Sequence, residues 1–227
     1  MTDLQLQALG LTDSHLTTFN GRLVHQGIES DLNGLRQAAK SAGFDFAIAS
    51  AHRDFHRQKA IWNAKYSGLK PILDHDSQVI ETAGLCDKAI VEAIMLYSAL
   101  PGASRHHFGT DLDVYATNCL VAGSSLQLEP WEYEHNGPFH EFSTWLGNAM
   151  CEFGFYRPYD QFRGGVACEP WHISHINYAQ EMAQRVDVAV ICEVISQHDV
   201  LGKEVIVSNI EELYQRFIIN IADTPLT

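Results

Sequence analysis

The segment Gly109–Tyr115, GTDLDVY, alternates acidic and apolar side chains, and this alternation limits where it can sit in a fold. As a strand it places Asp111, Asp113 and Tyr115 on one face and Leu112 and Val114 on the other. The apolar face must meet a core. The acidic face must meet water, a partner charge or a metal ion. Just upstream, PGASRHHF brings two adjacent histidines, and His106 stands seven positions before Asp113. Gly109 gives that loop the freedom to swing back over the strand. Taken alone, the stretch is equally well a solvent-facing strand beside surface histidines, because a metal site needs a third ligand.

CEPWHISH, residues Cys168–His175, supplies a candidate. His172 falls on a predicted strand, and Glu169 lies three positions before it with Pro170 between, which biases Glu169 toward an extended backbone. In a regular strand residues 169 and 172 face opposite ways, so the reading needs a bend at Pro170. With that bend, His106, Asp113 and His172 bind zinc and leave a fourth position for water. Glu169 then stands outside the ligand set as the base, the arrangement of catalytic rather than structural zinc. His107 and His175 are supporting or surface histidines on this reading, and each is also a competing ligand. Arg53 follows a predicted strand in ASAHRDF. It either faces an oxyanion developing on an attacked carbonyl, which its fork of donors suits, or pairs at the surface with Asp54 or Glu81. Ser104 either orients substrate or caps the loop.

The rest of the chain sets bounds. With 227 residues, 46% hydrophobic and 19% charged, it can bury a core. A net charge of -13 disfavours nucleic acid and anionic membranes as partners. The N-terminal stretch has no charged n-region followed by an unbroken apolar core, and no apolar run nears the roughly 18 residues of a membrane span. A cytoplasmic protein is the expectation. Five scattered cysteines without a C-x-x-C pair read as free thiols.

Helices are predicted over DLNGLRQAAKSAG, capped by Gly43, and over FHRQKAIWNAKY, with Ala60, Ile61 and Ala64 on one side. Further helices are predicted over KAIVEAIMLYSAL, ending before Pro101, and over FHEFSTWLGNAMCEFGF. FDFAIAS and EPWHISHI read as strands, and residues 67–83 as a loop. Few strands among many helices, with no hairpin-length loops, predict an α+β domain built on a small antiparallel sheet. Strands 110–115 and 170–175 should be neighbours, since residues on both must converge. No repeat or linker breaks the chain, so one domain over 1–227 is expected, with residues 31–176 as its core and 177–227 a helical C-terminal extension.

SRHHFGTDLDV followed by GVACEPWHISH resembles the VanY-like zinc D-alanyl-D-alanine carboxypeptidases. Ser104, His106, Gly109 and Asp113 match that family's first signature, and Glu169, Pro170, Trp171 and His172 match its second. Ser50, Arg53 and Gln58 fit a third, although His52 replaces its usual aromatic residue. The resemblance implies zinc held by His106, Asp113 and His172, with Glu169 as general base and Arg53 steadying the oxyanion. Ser104, Gln58 and Ser50 would contact the substrate. The implied substrate is a small cell-wall peptide ending in a D-amino acid. L,D-cleavage, endopeptidase action and a non-catalytic zinc-binding protein are the alternatives within the fold. An iron(II) oxygenase triad is a rival outside it, but it leaves the Glu-x-x-His element without a job.

Overall fold

The structure is a computed structural model that describes residues 1–225. Its N-terminal part comprises α1 (Asp3–Ala8), β1 (Leu16–Phe19), β2 (Arg22–His25), α2 (Glu29–Ser41), β3 (Phe46–Ser50) and α3 (Phe55–Tyr66). The middle carries α4 (Asp87–Met95), β4 (Asp111–Ala116), α5 (Pro130–Tyr133) and α6 (His140–Ala149). Then follow β5 (Phe155–Tyr156), β6 (His172–His175), α7 (Ile176–Ala183), α8 (Val188–Gln197), α9 (Lys203–Ser208) and α10 (Ile210–Leu213). This is an α+β fold, as the alternation and the helical stretches predict.

Four antiparallel strands form the main sheet in the order β3-β4-β6-β5. Strands 110–115 and 170–175 are indeed neighbours: Asp111 faces Ser174, Leu112 faces Ile173 and Asp113 faces His172. The pleat therefore sorts β4 and β6 together. Leu112, Val114 and Ile173 are fully buried on one face, against a core that includes Leu32 and Leu35 of α2 and Phe142 and Leu146 of α6. Burying each such side chain contributes roughly 1.5–3 kcal/mol, so the apolar half of the pattern fixes which way the acids point. A second core joins Phe55 and Trp62 of α3 to Val91 and Ile94 of α4 and to the C-terminal helices through Val194, Ile195 and Ile206.

Three local expectations change. A hairpin does exist, β1 paired with β2, turned by Asn20 and Gly21 at φ 47° and 76°. Asn-Gly suits a turn in which both central residues are left-handed. The buried side of α3 carries Phe55, Gln58 and Trp62, while Ala60 is exposed. A polar residue displaces the apolar stripe because its amide is used inside: Gln58 Nε2 donates to the Ala99 carbonyl at 2.7 Å. Finally, α4 stops at Met95, several residues short of Pro101. All five cysteines are free, as expected.

Candidate metal centre and active-site cleft

Gly109 makes the geometry of the site possible. Arg105–Phe108 form one 3-10 turn, and Gly109 ends it in the left-handed region at φ 71°. A Cβ there would lie 2.6 Å from Leu16 Cδ2 and 2.8 Å from the His25 backbone nitrogen, so only glycine lets the chain reverse into β4 against the hairpin. The reversal sets His106 over Asp113. His106 Nε2 lies 3.3 Å from Asp113 Oδ2, and its Nδ1 is 3.0 Å from the Ala51 carbonyl at the end of β3.

The bend that residues 169–172 require is present as a tight turn. The His172 N–H donates to the Glu169 carbonyl at 3.0 Å, with Pro170 at the turn's second position. Arg157 secures it by donating to the Pro170 carbonyl at 2.8 Å and to the Ser143 carbonyl at 3.0 Å. The turn brings the Glu169 carboxylate round to the same side as His172, 3.2 Å from Nδ1. That nitrogen also lies 3.3 Å from Asp113 Oδ1.

Donor atoms of His106, Asp113 and His172 all lie within 4.8 Å of one another, and all three residues are buried. Two atoms of the group, Asp113 Oδ1 and His172 Nδ1, are buried without a hydrogen-bond partner among the described residues. Such atoms are costly unless something else occupies them. The donor set is two imidazoles and a carboxylate. Contacts of 3.3 Å between donors match the edge of a tetrahedron built from bonds of ~2.0–2.2 Å. The residues fit a zinc-type ion.

Burial opposes the charge on Asp113 and on His172, and in both the neighbours outweigh it. Burial alone would raise the Asp113 carboxyl, yet His106 and His172 hold it well below the usual range. His172 would be lowered by burial but is driven well above an ordinary histidine by Asp111, Asp113 and Glu169. A cluster this short of positive charge suits a cation.

A cavity of about 240 Å³ opens over the centre, lined among others by Arg53, Ser104, His106, Asp113, Glu169 and His172. Arg53 enters from the end of β3, and it is not the surface partner of Asp54, which caps α3 through the Arg57 N–H. Its guanidinium donates to Gln58 Oε1 at 2.9 Å and to Ser50 Oγ at 3.1 Å. Gln58 and Ser50 thus stand behind Arg53 and aim it, while Ser104 lies at the cavity wall. His107 and His175 point elsewhere. His107 bridges the Gly102 N–H and the Arg53 carbonyl, and His175 pairs with Asp31 at 3.0 Å.

The VanY D-alanyl-D-alanine carboxypeptidase family model matches residues 21–178. The chain belongs to the VanY family. Its activity class is accordingly that of a peptidase. An uncharacterised protein of Haemophilus influenzae is 34% identical over 122 residues, a match covering 53% of this chain and 93% of that protein. Among solved structures, a vancomycin-resistance D,D-pentapeptidase VanY in complex with Zn(II) superposes with a TM-score of 0.51 at 22% identity. That match covers 76% of this chain and 89% of the other. The LdcB LD-carboxypeptidase superposes with a TM-score of 0.53 at 18% identity, covering 89% and 78%. These likenesses are of fold, and the family match, ending at residue 178, leaves most of the C-terminal helices outside it. No helix among the described residues is long and apolar enough to cross a membrane.

The sequence pattern did not single out Arg157, Arg105 or Asp111 as supports of the site. Asp111 was visible on the acidic face of GTDLDVY, but its partners come from distant segments.

Proposed function

We propose that this VanY-family chain is a zinc-dependent carboxypeptidase that removes the terminal D-amino acid from peptidoglycan-type peptides. The observation that carries the reading is the convergence of His106, Asp113 and His172, with Glu169 beside them and Arg53 across the same cavity. His106, Asp113 and His172 would hold the ion, which when bound would act as a Lewis acid on the scissile carbonyl and make water a better nucleophile.

Glu169 contacts His172 but is not in the mutually close group, which supports its reading as the group that accepts a proton and not as a further ligand. It takes a proton from the attacking water as the water oxygen bonds to the carbonyl carbon. It returns that proton to the leaving amine as the C–N bond breaks. The products are a free D-amino acid and a peptide one residue shorter. Arg53, already held by Gln58 and Ser50, donates to the carbonyl oxygen as it gains charge. The Arg53 and Glu169 pair also argues against a purely binding role, which needs neither a base nor an oxyanion donor.

The similarity in fold to an LD-carboxypeptidase supports a second reading, in which the bond cut follows an L-residue. One experiment separates the two. Purified protein is incubated with a pentapeptide ending in D-Ala-D-Ala and with a tetrapeptide ending in L-Lys-D-Ala, and free D-alanine is measured with and without chelator. Release from the first alone supports D,D-cleavage, and release from the second alone supports L,D-cleavage. No release from either, with zinc bound, would refute the carboxypeptidase reading.

A further inference from the structure

Asp111 has no part in the reaction as proposed, yet it is fully buried and lies against a candidate ligand. It reaches His172 from the side away from Asp113. Its Oδ1 lies 3.1 Å from His172 Nε2 and accepts from Arg105 Nε at 2.7 Å, while Oδ2 accepts from the Thr110 hydroxyl at 2.8 Å. The other arm of Arg105 donates to Ser174 Oγ at 2.7 Å. Sheet register explains the grouping: Asp111 stands opposite Ser174 on the same face on which Asp113 stands opposite His172.

We infer that Asp111, with its charge balanced by Arg105, is a positioning residue that fixes the His172 ring proton on Nε2 and so presents Nδ1 to the metal. The inference rests on His172 being a metal ligand. With the ion bound the imidazole is neutral and carries one N–H, and an ionised carboxylate can only accept. Of the two ring nitrogens only the one facing Asp111 makes a hydrogen bond, so it holds the hydrogen; the other, although 3.2 Å from the Glu169 carboxylate and 3.3 Å from that of Asp113, is left to offer its lone pair to the ion. That other nitrogen is Nδ1, buried and without a hydrogen bond among the described residues.

His106 is set by the same logic in the opposite sense. Its Nδ1 faces the Ala51 carbonyl, also an acceptor only, which leaves Nε2 toward Asp113. The two histidines thus offer different nitrogens to one point, each chosen by an acceptor on its far side. Arg105 has a distinct part in this. Asp113 and Glu169 already bring negative charge to the centre, and a bare third carboxylate would add more. A buried Asp111–Arg105 pair supplies the acceptor without the net charge, although burying both ions costs desolvation that an apolar pair would avoid.

The test uses zinc-loaded protein with labelled histidine nitrogens. The expected spectrum shows His172 bonded to metal through Nδ1 and protonated at Nε2; metal bonding through Nε2 overturns the inference. Zinc affinity is then measured by chelator competition for wild type and Asp111→Asn, since an amide can donate as well as accept and leaves the ring proton unassigned. A 10- to 100-fold loss is expected. Removing Asp111 alone strands a buried Arg105, so the double variant Arg105→Met, Asp111→Asn is measured beside it, and the same loss is expected there. Unchanged affinity in a folded variant overturns the inference and leaves the metal reading intact. Wild-type protein that takes up no zinc overturns both.

Discussion

His106 and His172 form one group of histidines, and His15, His25 and His52 form a second. Both groups are packed into the protein at similar spacing. Ring centroids are 4.9 Å apart for His106 and His172, 5.5 Å for His15 and His25, and 6.3 Å for His15 and His52. Their chemistry diverges because of what surrounds them. His172 touches three carboxylates and is raised well above an ordinary histidine. His15 and His52 are each pushed down to about 4, first by burial and then by neighbouring histidines. Among the described residues only the first group brings donor atoms of three such side chains within 4.8 Å. Burial alone yields neutral histidines that pack. Burial with carboxylates yields a centre that calls for a cation.

The largest effect that would test this contrast is loss of the metal itself. His106→Ala should lose stoichiometric zinc and all measurable turnover, read by elemental analysis and D-alanine release. Retention of both would erase the distinction between the groups. Glu169→Ala should keep zinc and a native circular dichroism spectrum while turnover falls by roughly 10²–10⁴, the usual worth of a positioned base. Loss of zinc in that variant would make Glu169 a ligand. Arg53→Ala should also keep its zinc, with turnover reduced by roughly 10²–10³, as for one oxyanion donor. A normal rate would reassign Arg53 to a purely structural role, tied as it is to Gln58 and Ser50.

Much of the centre was legible because the residues that meet there lie on strands. Period-two alternation places Asp111 and Asp113 on one face whatever the rest of the chain does, and the need for a third donor points to His172. The Pro170 bend was a requirement of the reading, and the turn from Glu169 to His172 meets it. What a strand cannot report is the identity of partners brought in by long loops. Arg105 on Asp111 and Arg157 on the Pro170 carbonyl are tertiary contacts with no local spacing to betray them. The buried Gln58 is the same failure seen from a helix. Apolar periodicity selected Ala60, Ile61 and Ala64, whereas the hydrogen bonds to Ala99 and Arg53 turn the other side inward. The β1–β2 hairpin is a different case, since Asn20-Gly21 is itself a local turn signal.

The smallest expected effect concerns the second histidine group and is one of stability. His15 is buried, its neighbours include His25 and His52, and the backbone at Phe108 and His107 together with Asp13 only partly offsets them. Its folded value of about 4 lies below the 6.5 of an unfolded histidine. The unfolded chain therefore binds a proton first as pH falls. The stability tied to a neutral His15 is complete above pH 6.5 and is lost progressively between 6.5 and 4. Between pH 7.5 and 5.0 this amounts to about 1 kcal/mol after allowance for solvent reaching the site. His15→Phe keeps an aromatic ring in place and removes the titration. Denaturant unfolding of both proteins at the two pH values isolates the term, because any acid loss of a bound metal is common to them. Wild type should lose about 1 kcal/mol more than the variant on going to pH 5.0. An equal loss would mean that His15 is as easily protonated in the fold as outside it, and the contrast between the two groups would then rest on metal binding alone.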